Sequence, residues 1–250
     1  MQVDYTSVFL HADIDQEVFI EMPRGYTDPS KVLKLKKPLY GLKQSPRNFF
    51  LYLKSKLESL DFIQSSADPC LFIRSDMNCL VYVDDCVFFS PDDSKFGDML
   101  SKLRKADLTL EREDNVAGFL GVHLNVDHTD RTIELTQVGL IDIIVSAMGL
   151  TDSTEVKTPA EYGALQKDED GENYDTSFNY PSIVGILLYL QNNTISDITF
   201  AVSQCTRYTF FTKLSHEKAL KQIGRYLKGT NTKELIMKPR PDLNIDCHVD

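Results

Sequence analysis

The stretch Tyr82-Val83-Asp84-Asp85 decides how the middle of this chain folds, because it separates two short apolar runs. Residues 79–81 precede it and residues 86–89 follow it, and both runs are rich in β-branched and aromatic side chains. Such runs favour strands, and two of them around a short polar stretch favour a hairpin. The sequence therefore predicts a tight hairpin that carries two adjacent carboxylates at its tip.

Two adjacent carboxylates repel each other unless a cation joins them. A divalent metal ion supplies that charge, and carboxylate-bound Mg²⁺ is well suited to phosphoryl transfer. The alternative is structural, because Asp is a common turn residue whose side chain bonds the nearby backbone. Taken alone, Asp84 and Asp85 fit a plain turn, a metal-dependent hydrolase or a phosphoryl-transfer site.

The composition is that of an ordinary globular protein: 250 residues, 42% of them hydrophobic and 26% charged, enough for one large domain or two small ones. A net charge of −10 argues against a uniformly basic, nucleic-acid-binding surface. The five cysteines include no CxxC pair, which argues against a zinc site or a disulfide framework. The longest apolar run is too short to span a bilayer, so we expect an intracellular protein without a membrane partner.

Apolar spacing divides the chain into helices and strands. It predicts helices over residues 46–60, from residue 94 onward, and over 139–150, 180–191 and 215–229. Alternation predicts strands within residues 1–26, 31–40, 70–90 and 116–138, and residues 167–175 form a polar, mostly acidic loop. The chain begins and ends within strand-like segments, so we expect it to be cut from a longer protein.

Four basic residues share one face of the helix predicted over 215–229. They are Lys218, Lys221, Arg225 and Lys228, and an apolar stripe lies on another face of the same helix. A basic stripe is typical of a solvated helix face, and it is also typical of a helix that follows a nucleic-acid backbone. The residues alone leave both interpretations open.

Four segments, taken in order, resemble the motifs of one family, the copia-type (Pseudoviridae) retrotransposon reverse transcriptases. They are Val3-Asp4-Tyr5-Thr6-Ser7-Val8-Phe9-Leu10-His11, Leu39-Tyr40-Gly41-Leu42-Lys43-Gln44-Ser45-Pro46-Arg47, Tyr82-Val83-Asp84-Asp85 and Phe119-Leu120-Gly121-Val122. Residues 180–190, 197–202 and 225–230 resemble the region that links polymerase to RNase H. Each motif alone is modest, but their shared order and spacing over nearly the whole chain make the resemblance specific.

The resemblance implies an α+β fold of the right-hand polymerase type, from the palm, thumb and connection portion of a Pol polyprotein. An antiparallel palm sheet backed by helices would precede a helical thumb and connection, with the fingers largely missing. The implied boundaries are the palm at 1–128, the primer grip and start of the thumb at 129–160, the thumb and connection at 161–240, and a truncated start of RNase H at 241–250.

The implied activity is that of an RNA-directed DNA polymerase, which adds deoxynucleotides to a primer 3′ end. Asp4, Asp84 and Asp85 would be its catalytic, metal-binding carboxylates, holding two Mg²⁺ ions with Mn²⁺ as the alternative. Without the family, Asp4 is an ordinary acid at a strand edge. The resemblance also implies nucleotide-binding residues, which are Phe9, Tyr40, Gly41 and Lys43. Residues implied to contact template or primer are Tyr82, Val83, Arg47, Gly121 and the four residues of the basic stripe.

The implied partners are an RNA or DNA template with its primer, deoxynucleoside triphosphates, and the fingers, RNase H and integrase of the polyprotein. The implied location is the cytoplasm, within virus-like particles where the element is intact. To reconcile these partners with the acidic composition, we expect Lys31, Lys34, Lys36, Lys37, Lys43, Arg47 and the basic stripe to line one cleft, with the acids elsewhere.

Departures from the family pattern keep an alternative open. The family usually has a lysine, a proton donor, where this chain reads Leu110-Glu111-Arg112-Glu113, and often has proline where Ser196 stands. Glu111 cannot supply a proton as lysine does, and Arg112 would do so poorly. The alternative is a truncated or decayed, catalytically inactive element product that at most binds nucleic acid or a partner.

Overall fold

The computed structural model describes residues 1–25, 31–106, 108–113, 118–161 and 163–239. The chain divides into two compact units, Met1–Val116 (unit 1) and Ala117–Asp250 (unit 2). The described residues form a mixed α/β structure in which all paired strands are antiparallel. None of the helices in these residues has the length and apolar character needed to cross a membrane.

Unit 1 holds eight strands and two α-helices within its described residues. In chain order these are β1 (Gln2–Tyr5), β2 (Phe19–Glu21), β3 (Val32–Lys34), α1 (Ser45–Glu58), β4 (Ile63–Gln64), β5 (Leu71–Arg74), β6 (Met77–Tyr82), β7 (Asp85–Phe89), α2 (Ser94–Lys105) and β8 (Leu110–Glu113). A short 3₁₀-helix, Val8–Leu10, follows β1. Among the strands that the structure describes, β2 and β3 pair only with each other.

The main sheet of unit 1 has the strand order β4-β5-β6-β7-β1-β8. The first strand of the chain therefore lies between two later ones, paired on one side with β7 and on the other with β8. Its register sets Val3 opposite Cys86 and Asp4 opposite Asp85. This insertion brings the start of the chain to the tip of the predicted hairpin.

One face of this sheet carries the core of unit 1. Along β6, Met77, Cys79 and Val81 are buried while Tyr82 is exposed, as the alternation of a strand with one buried face requires. The helices cover that face with side chains at helical spacing, which are Phe49, Leu53 and Leu57 from α1 and Phe96, Met99, Leu100 and Leu103 from α2. Pro46 lies in the first turn of α1. Backbone N–H groups in the first turn have no intrahelical acceptor, so the N–H that proline lacks costs the helix no hydrogen bond.

The hairpin predicted from the central motif is confirmed. Strands β6 and β7 pair as far as Tyr82 opposite Asp85, which leaves Val83 and Asp84 as a two-residue loop. Val83 has φ of 53°, whereas Asp84 does not have a positive φ. Positive φ at the first loop position alone is typical of a type II′ turn, which normally has glycine there. A β-branched residue in this conformation is strained.

Unit 2 holds four α-helices and three strands within its described residues. In chain order these are β9 (His123–Asp127), β10 (Thr132–Thr136), α3 (Val138–Ala147), α4 (Tyr180–Asn193), α5 (Thr199–Thr206), α6 (Leu214–Gly229) and β11 (Leu235–Met237). The strands form a sheet in the order β11-β10-β9, and a 3₁₀-helix, Ser196–Ile198, precedes α5.

The helices of unit 2 enclose a second core. Asn179 caps α4 by accepting the Ser182 N–H at 3.0 Å, and Pro181 lies in the first turn. The buried Tyr180 hydroxyl donates to the Cys205 carbonyl at 3.1 Å, which ties α4 to α5. Burial raises the pKa of Tyr180 well above its usual value, and it raises the pKa of the Cys205 thiol to about 11.

The predicted helices correspond to α1, α2, α3, α4 and α6 and are confirmed. The strand predicted through residues 119–122 is wrong, because Leu120 and Gly121 have φ of 56° and 70° and form a tight turn. Two positive φ values in a two-residue loop are typical of a type I′ turn, and Phe119 bridges Val122 across it. Helix α5 and strand β11 were not predicted.

The division between the units follows residue 116, whereas the predicted palm boundary lies at residue 128. The predicted boundaries at 128, 160 and 240 stay predictions. The predicted start of RNase H, residues 241–250, lies outside the described residues.

Replacing Leu187 by Ala should lower the free energy of unfolding by about 2–5 kcal/mol, because a buried leucine leaves a cavity. Leu187 is fully buried in the unit 2 core, while its neighbour Leu188 is 36% exposed. Leu188→Ala is the matched control and should cost less than about 1 kcal/mol. Urea denaturation followed by circular dichroism measures both, and equal losses would contradict the assignment of the buried face of α4.

Replacing Val83 by Gly should raise the free energy of unfolding by about 1 kcal/mol, because glycine adopts positive φ without strain. Val126→Gly is the control, since Val126 is similarly exposed (46% against 41%) but lies within β9 at an ordinary φ. That substitution should destabilise the protein by about 1 kcal/mol. A loss of the same size in both variants, measured by urea denaturation, would show that Val83 is unstrained.

Candidate active site

Asp4 and Asp85 lie directly opposite each other on the neighbouring strands β1 and β7. Cross-strand partners of this kind have side chains on one face with Cβ atoms about 4.5–5.5 Å apart. Asp84 follows in the hairpin loop, where its carbonyl accepts the Tyr5 N–H at 3.1 Å. The Gln2 amide donates to Asp85 Oδ1 at 3.5 Å. The three predicted carboxylates thus come from one sheet edge and its adjoining turn, and all three are half-buried.

A fourth carboxylate extends this group, and the sequence did not predict its position beside the other three. Glu111 on β8 lies opposite Asp4 on the side away from Asp85. The order across the sheet is therefore Asp85, Asp4, Glu111. These residues share the face opposite the core, because Val3 and Tyr5 of the same strand are buried beneath it. A row of carboxylates at strand spacing is repulsive unless cations balance it.

The donor chemistry of this row fits a hard divalent cation. Carboxylate oxygens are the ligands that Mg²⁺ and Mn²⁺ prefer, and Asp4 and Asp85 are half-buried whereas Glu111 is exposed. Within the part of the chain that the structure describes, no three acidic, histidine or cysteine side chains converge as a metal site. The backbone register therefore provides adjacency, and side-chain rotation would have to provide convergence.

Buried residues support the row from below. Tyr5 lies on the core face of β1, and Cys79 and Cys86 lie on the same face of the hairpin. Burial raises the pKa of Tyr5 well above its usual value, and the neighbouring Cys86 and Cys79 raise it further. The Tyr5 ring also packs edge-on against Phe49 of α1, with ring centroids 6.1 Å apart. The row therefore rests on a packed, uncharged layer.

Three of the predicted nucleotide-binding residues come together beside β1. The Phe9 ring lies 4.5 Å from Tyr40 and 6.4 Å from Phe49, measured between centroids. Phe9 is buried, whereas Tyr40 is 66% exposed. Gly41 has φ of 93°, a conformation that favours glycine. The structure thus supplies one exposed aromatic face over one buried aromatic side chain.

The basic residues near this aromatic pair are partly neutralised by acids on the same surface. Lys43 is exposed, but Arg47 Nη1 lies 3.4 Å from Asp15 Oδ2. Two further ion pairs of the same segment join Lys37 to Asp13 at 2.8 Å and Lys34 to Glu17. The Lys37 ammonium lowers the pKa of Asp13. The expectation that the acids lie elsewhere is therefore wrong for this segment.

The turn that contains Gly121 is tied to the helices of unit 2. Tyr189 of α4 donates its hydroxyl to the Leu120 carbonyl. Gln137 donates to the Gly121 carbonyl at 3.4 Å and accepts from Thr194 at 2.9 Å. Tyr82 and Val83, at the other predicted primer contact, are exposed in unit 1. The two segments predicted to contact the primer, the Gly121 turn and the hairpin tip at Tyr82 and Val83, are therefore both tight turns.

Two of the four residues in the basic stripe, Lys228 and Lys221, bond to carbonyl or carboxylate groups of the same unit. Lys228 Nζ donates to the carbonyls of Thr151 and Ser153, each at 2.7 Å. Lys221 Nζ lies 2.5 Å from the carboxylate of the buried Glu217. The remaining members are the half-buried Arg225 and the exposed Lys218. The helix face is therefore not simply solvated, and the predicted nucleic-acid contacts of its residues stay predictions.

Comparison with known proteins identifies the family to which this chain is similar. The model of a family described as "Reverse transcriptase (RNA-dependent DNA polymerase)" matches residues 1–162. The retrovirus-related Pol polyprotein from transposon TNT 1-94 of Nicotiana tabacum is 31% identical over 92% of this chain and 18% of its own length. The corresponding polyprotein from transposon RE1 of Arabidopsis thaliana is 29% identical over 100% of this chain and 17% of its own length.

A yeast relative is similar in extent to this chain. The putative transposon Ty5-1 protein of Saccharomyces cerevisiae is 24% identical over 99% of this chain and 82% of its own length. By contrast, the chain spans less than a fifth of the two plant polyproteins. From the family match over residues 1–162 and the plant relatives that span the chain, it follows that this protein belongs to the reverse transcriptase family found in retrotransposon Pol polyproteins.

Proposed function

We propose that this chain carries the catalytic palm of a retrotransposon reverse transcriptase, which extends a primer 3′ end by deoxynucleotides on an RNA or DNA template. The observation that carries the proposal is the register of β1 against β7, which sets Asp4 opposite Asp85 beside Asp84. In this assignment unit 1 is the palm, and unit 2 begins the thumb and connection. The reaction class is nucleotidyl transfer.

Asp4, Asp84 and Asp85 are proposed to hold the divalent cations. When bound, two Mg²⁺ ions supply Lewis-acid activation of the primer hydroxyl and charge neutralisation at the triphosphate. The positions of the carboxylates determine where the cations would bind. The β1–β7 register holds Asp4 and Asp85 as neighbours on one face of the sheet. The Gln2 amide, 3.5 Å from Asp85 Oδ1, orients that carboxylate by donating a hydrogen bond.

The aromatic pair beside β1 is proposed to receive the incoming nucleotide. Tyr40, exposed above Phe9, offers a face for the sugar, and Gly41 lets the backbone approach without a Cβ atom in the way. Phe9 packs edge-on against Phe49, which supports its ring from behind. The family resemblance places at this position an aromatic that excludes a ribose 2′-hydroxyl, and we propose that role for Phe9.

The partners follow from this function. They are a primed RNA or DNA template, deoxynucleoside triphosphates and the remaining domains of a Pol polyprotein. The proposed location is a cytoplasmic virus-like particle. Tyr82 and Val83 at the hairpin tip, and the Gly121 turn, are the proposed contacts of the primer end.

A second candidate is an inactive family member that binds nucleic acid or a partner. One observation favours it: Glu111 lies opposite Asp4, in the segment 110–113 where the family usually carries a lysine. This chain therefore lacks the expected proton donor beside the carboxylates. Primer extension decides between the two candidates.

Replacing Asp85 by Asn should lower Mg²⁺-dependent primer extension by about 10³-fold or more, because one ligand contributes several kcal/mol of charge stabilisation. Asp84→Asn and Asp4→Asn should behave alike. Asp93→Asn is the matched control, since Asp93 is an exposed aspartate next to α2 and should leave extension unchanged. Gel-resolved extension of a labelled primer on an RNA template measures all four.

Metal binding gives a second readout that does not require turnover. Wild-type protein should bind Mn²⁺ in electron paramagnetic resonance titrations, and Asp85→Asn should weaken that binding. Folded wild-type protein that neither extends primers nor binds Mn²⁺ would contradict the polymerase proposal. It would favour the inactive family member instead.

Replacing Phe9 by Val should raise incorporation of ribonucleotides relative to deoxynucleotides by about 10–100-fold, because a smaller side chain leaves room for a hydroxyl. The ratio of the two incorporation rates corrects for any general loss of activity, so no separate control variant is needed. If Phe9 serves only as core packing against Phe49, both rates should fall equally and the ratio should stay constant. Single-nucleotide extension with matched ribo- and deoxyribonucleotides measures that ratio.

A further inference from the structure

A cavity of about 480 Å³ lies within unit 2, between helices α5 and α6 and residues 159–161 and 163–166. Its volume is typical of small-molecule sites, which occupy about 300–1,000 Å³. The apolar part of its lining comes from Pro159, Ala160, Leu165, Phe200, Ala201 and Ala219. The proposed polymerase chemistry uses none of these residues, so the cavity needs a separate explanation.

Hydrogen bonds fasten the segment that closes the cavity. They run from Gln222 Nε2 to the Thr158 carbonyl (3.0 Å), from Tyr208 Oη to the Leu165 carbonyl (2.9 Å) and from His216 Nε2 to the Gln166 carbonyl (3.1 Å). The Lys213 N–H donates to Nδ1 of His216 at 3.0 Å, so Nε2 of this ring carries the proton that it donates. The cavity wall is therefore held in place before a ligand binds, which limits the conformational entropy that the protein loses on binding.

Two cations of the basic stripe line this cavity. Arg225 Nε is buried and finds no hydrogen-bond partner among the described residues, and the Arg225 Nη2 atom reaches Gln222 Oε1 only at 3.4 Å. Lys218 is exposed and has no hydrogen bond or ion pair within the described residues. The described lining includes one carboxylate, that of the exposed Glu161. A buried N–H donor without an acceptor is unfavourable, so an anionic ligand would satisfy the group that the fold leaves unpaired.

We propose that this cavity is a second nucleotide site, which binds one nucleotide by its phosphate and its base. Arg225 and Lys218 pair with the phosphate, since a guanidinium and an ammonium both suit phosphate oxygens. Phe200 is 57% exposed at the cavity wall and offers a ring face on which a base stacks. The Gln204 side chain also lines the cavity; its Oε1 accepts from Arg207 at 3.0 Å, and within the described residues its amide NH₂ group has no acceptor, so that group can donate to the base edge.

The mixture of groups favours a nucleotide over other small anions. A purely aliphatic anion would leave the Phe200 ring without a stacking partner and the Gln204 NH₂ group without an acceptor, and inorganic phosphate would leave the apolar wall uncovered. A nucleotide covers the aromatic ring, the Gln204 amide and the cations together. The nucleotide is either free in solution or part of a single strand, and the chemistry of recognition is the same in both cases.

The test is isothermal titration of the full 250-residue chain with deoxyadenosine 5′-monophosphate in EDTA. The chelator removes divalent cations, so the carboxylates of unit 1 contribute no metal-dependent binding. A failure here leaves the polymerase proposal standing, and the two proposals are separable. Deoxyadenosine and inorganic phosphate, titrated separately, should each bind more weakly than the nucleotide.

Arg225→Gln and Lys218→Gln should each weaken nucleotide binding about tenfold or more, because each removes a charge-assisted hydrogen bond. Phe200→Leu should weaken it about fivefold or more by removing the stacking face. Arg131→Gln is the matched control, since Arg131 is an exposed arginine of the β9–β10 turn and does not line the cavity. It should bind as the wild type does.

Wild-type affinity in both Arg225→Gln and Lys218→Gln, or equal binding of deoxyadenosine and its monophosphate, would overturn the proposal. Lys218 is exposed, so its variant keeps the test decisive even if Arg225→Gln fails to fold, which circular dichroism reports. A 5′-phosphorylated hexadeoxyadenylate distinguishes the source. Tighter binding of the oligonucleotide identifies a strand, and equal binding identifies a free nucleotide.

Discussion

The antiparallel pairing of β1 with β7 is the constraint on which the rest of the site depends. It sets Val3 opposite Cys86 inside the core and Asp4 opposite Asp85 on the other face. A shift of one residue would exchange these faces, burying a carboxylate and exposing apolar side chains. The hydrophobic core therefore fixes the position of the carboxylates, although it contains no charged group of the site. The same strand pairs on its other side with β8 and so adds Glu111 to the row.

Local strain and charge accompany this arrangement. Val83 keeps a positive φ at the turn next to the carboxylates, a conformation that glycine would adopt at lower cost. The row of Asp85, Asp4 and Glu111 concentrates negative charge on one face of the sheet. Both features lie where the proposed chemistry needs a fixed turn and a cation-attracting surface, and the strained turn lowers the stability of the folded chain. Such trade-offs are common at sites that are selected for activity.

The distribution of charge differs from what the net charge of −10 suggests. In unit 1, Asp13 and Asp15 pair with Lys37 and Arg47, so acids and bases share one surface. In unit 2, the cations of α6 differ from one another in role. Lys228 caps backbone carbonyls, whereas Lys218 and Arg225 line a cavity. The basic stripe is thus a single pattern in sequence that serves both packing and a proposed ligand site.

The sequence by itself determined the hairpin around Asp84, five of the six α-helices in the described part of the chain, and the family, because these depend on local spacing and on residue order. Only the tertiary structure decided that Glu111 adjoins Asp4, that residues 119–122 form a turn, and that Lys228 and Lys221 point to internal partners. Helix α5 was missed because its eight residues carry a weak apolar period. The physical reason is common to all: strand register and helix packing join residues distant in sequence, and local patterns carry no information about which distant groups will meet.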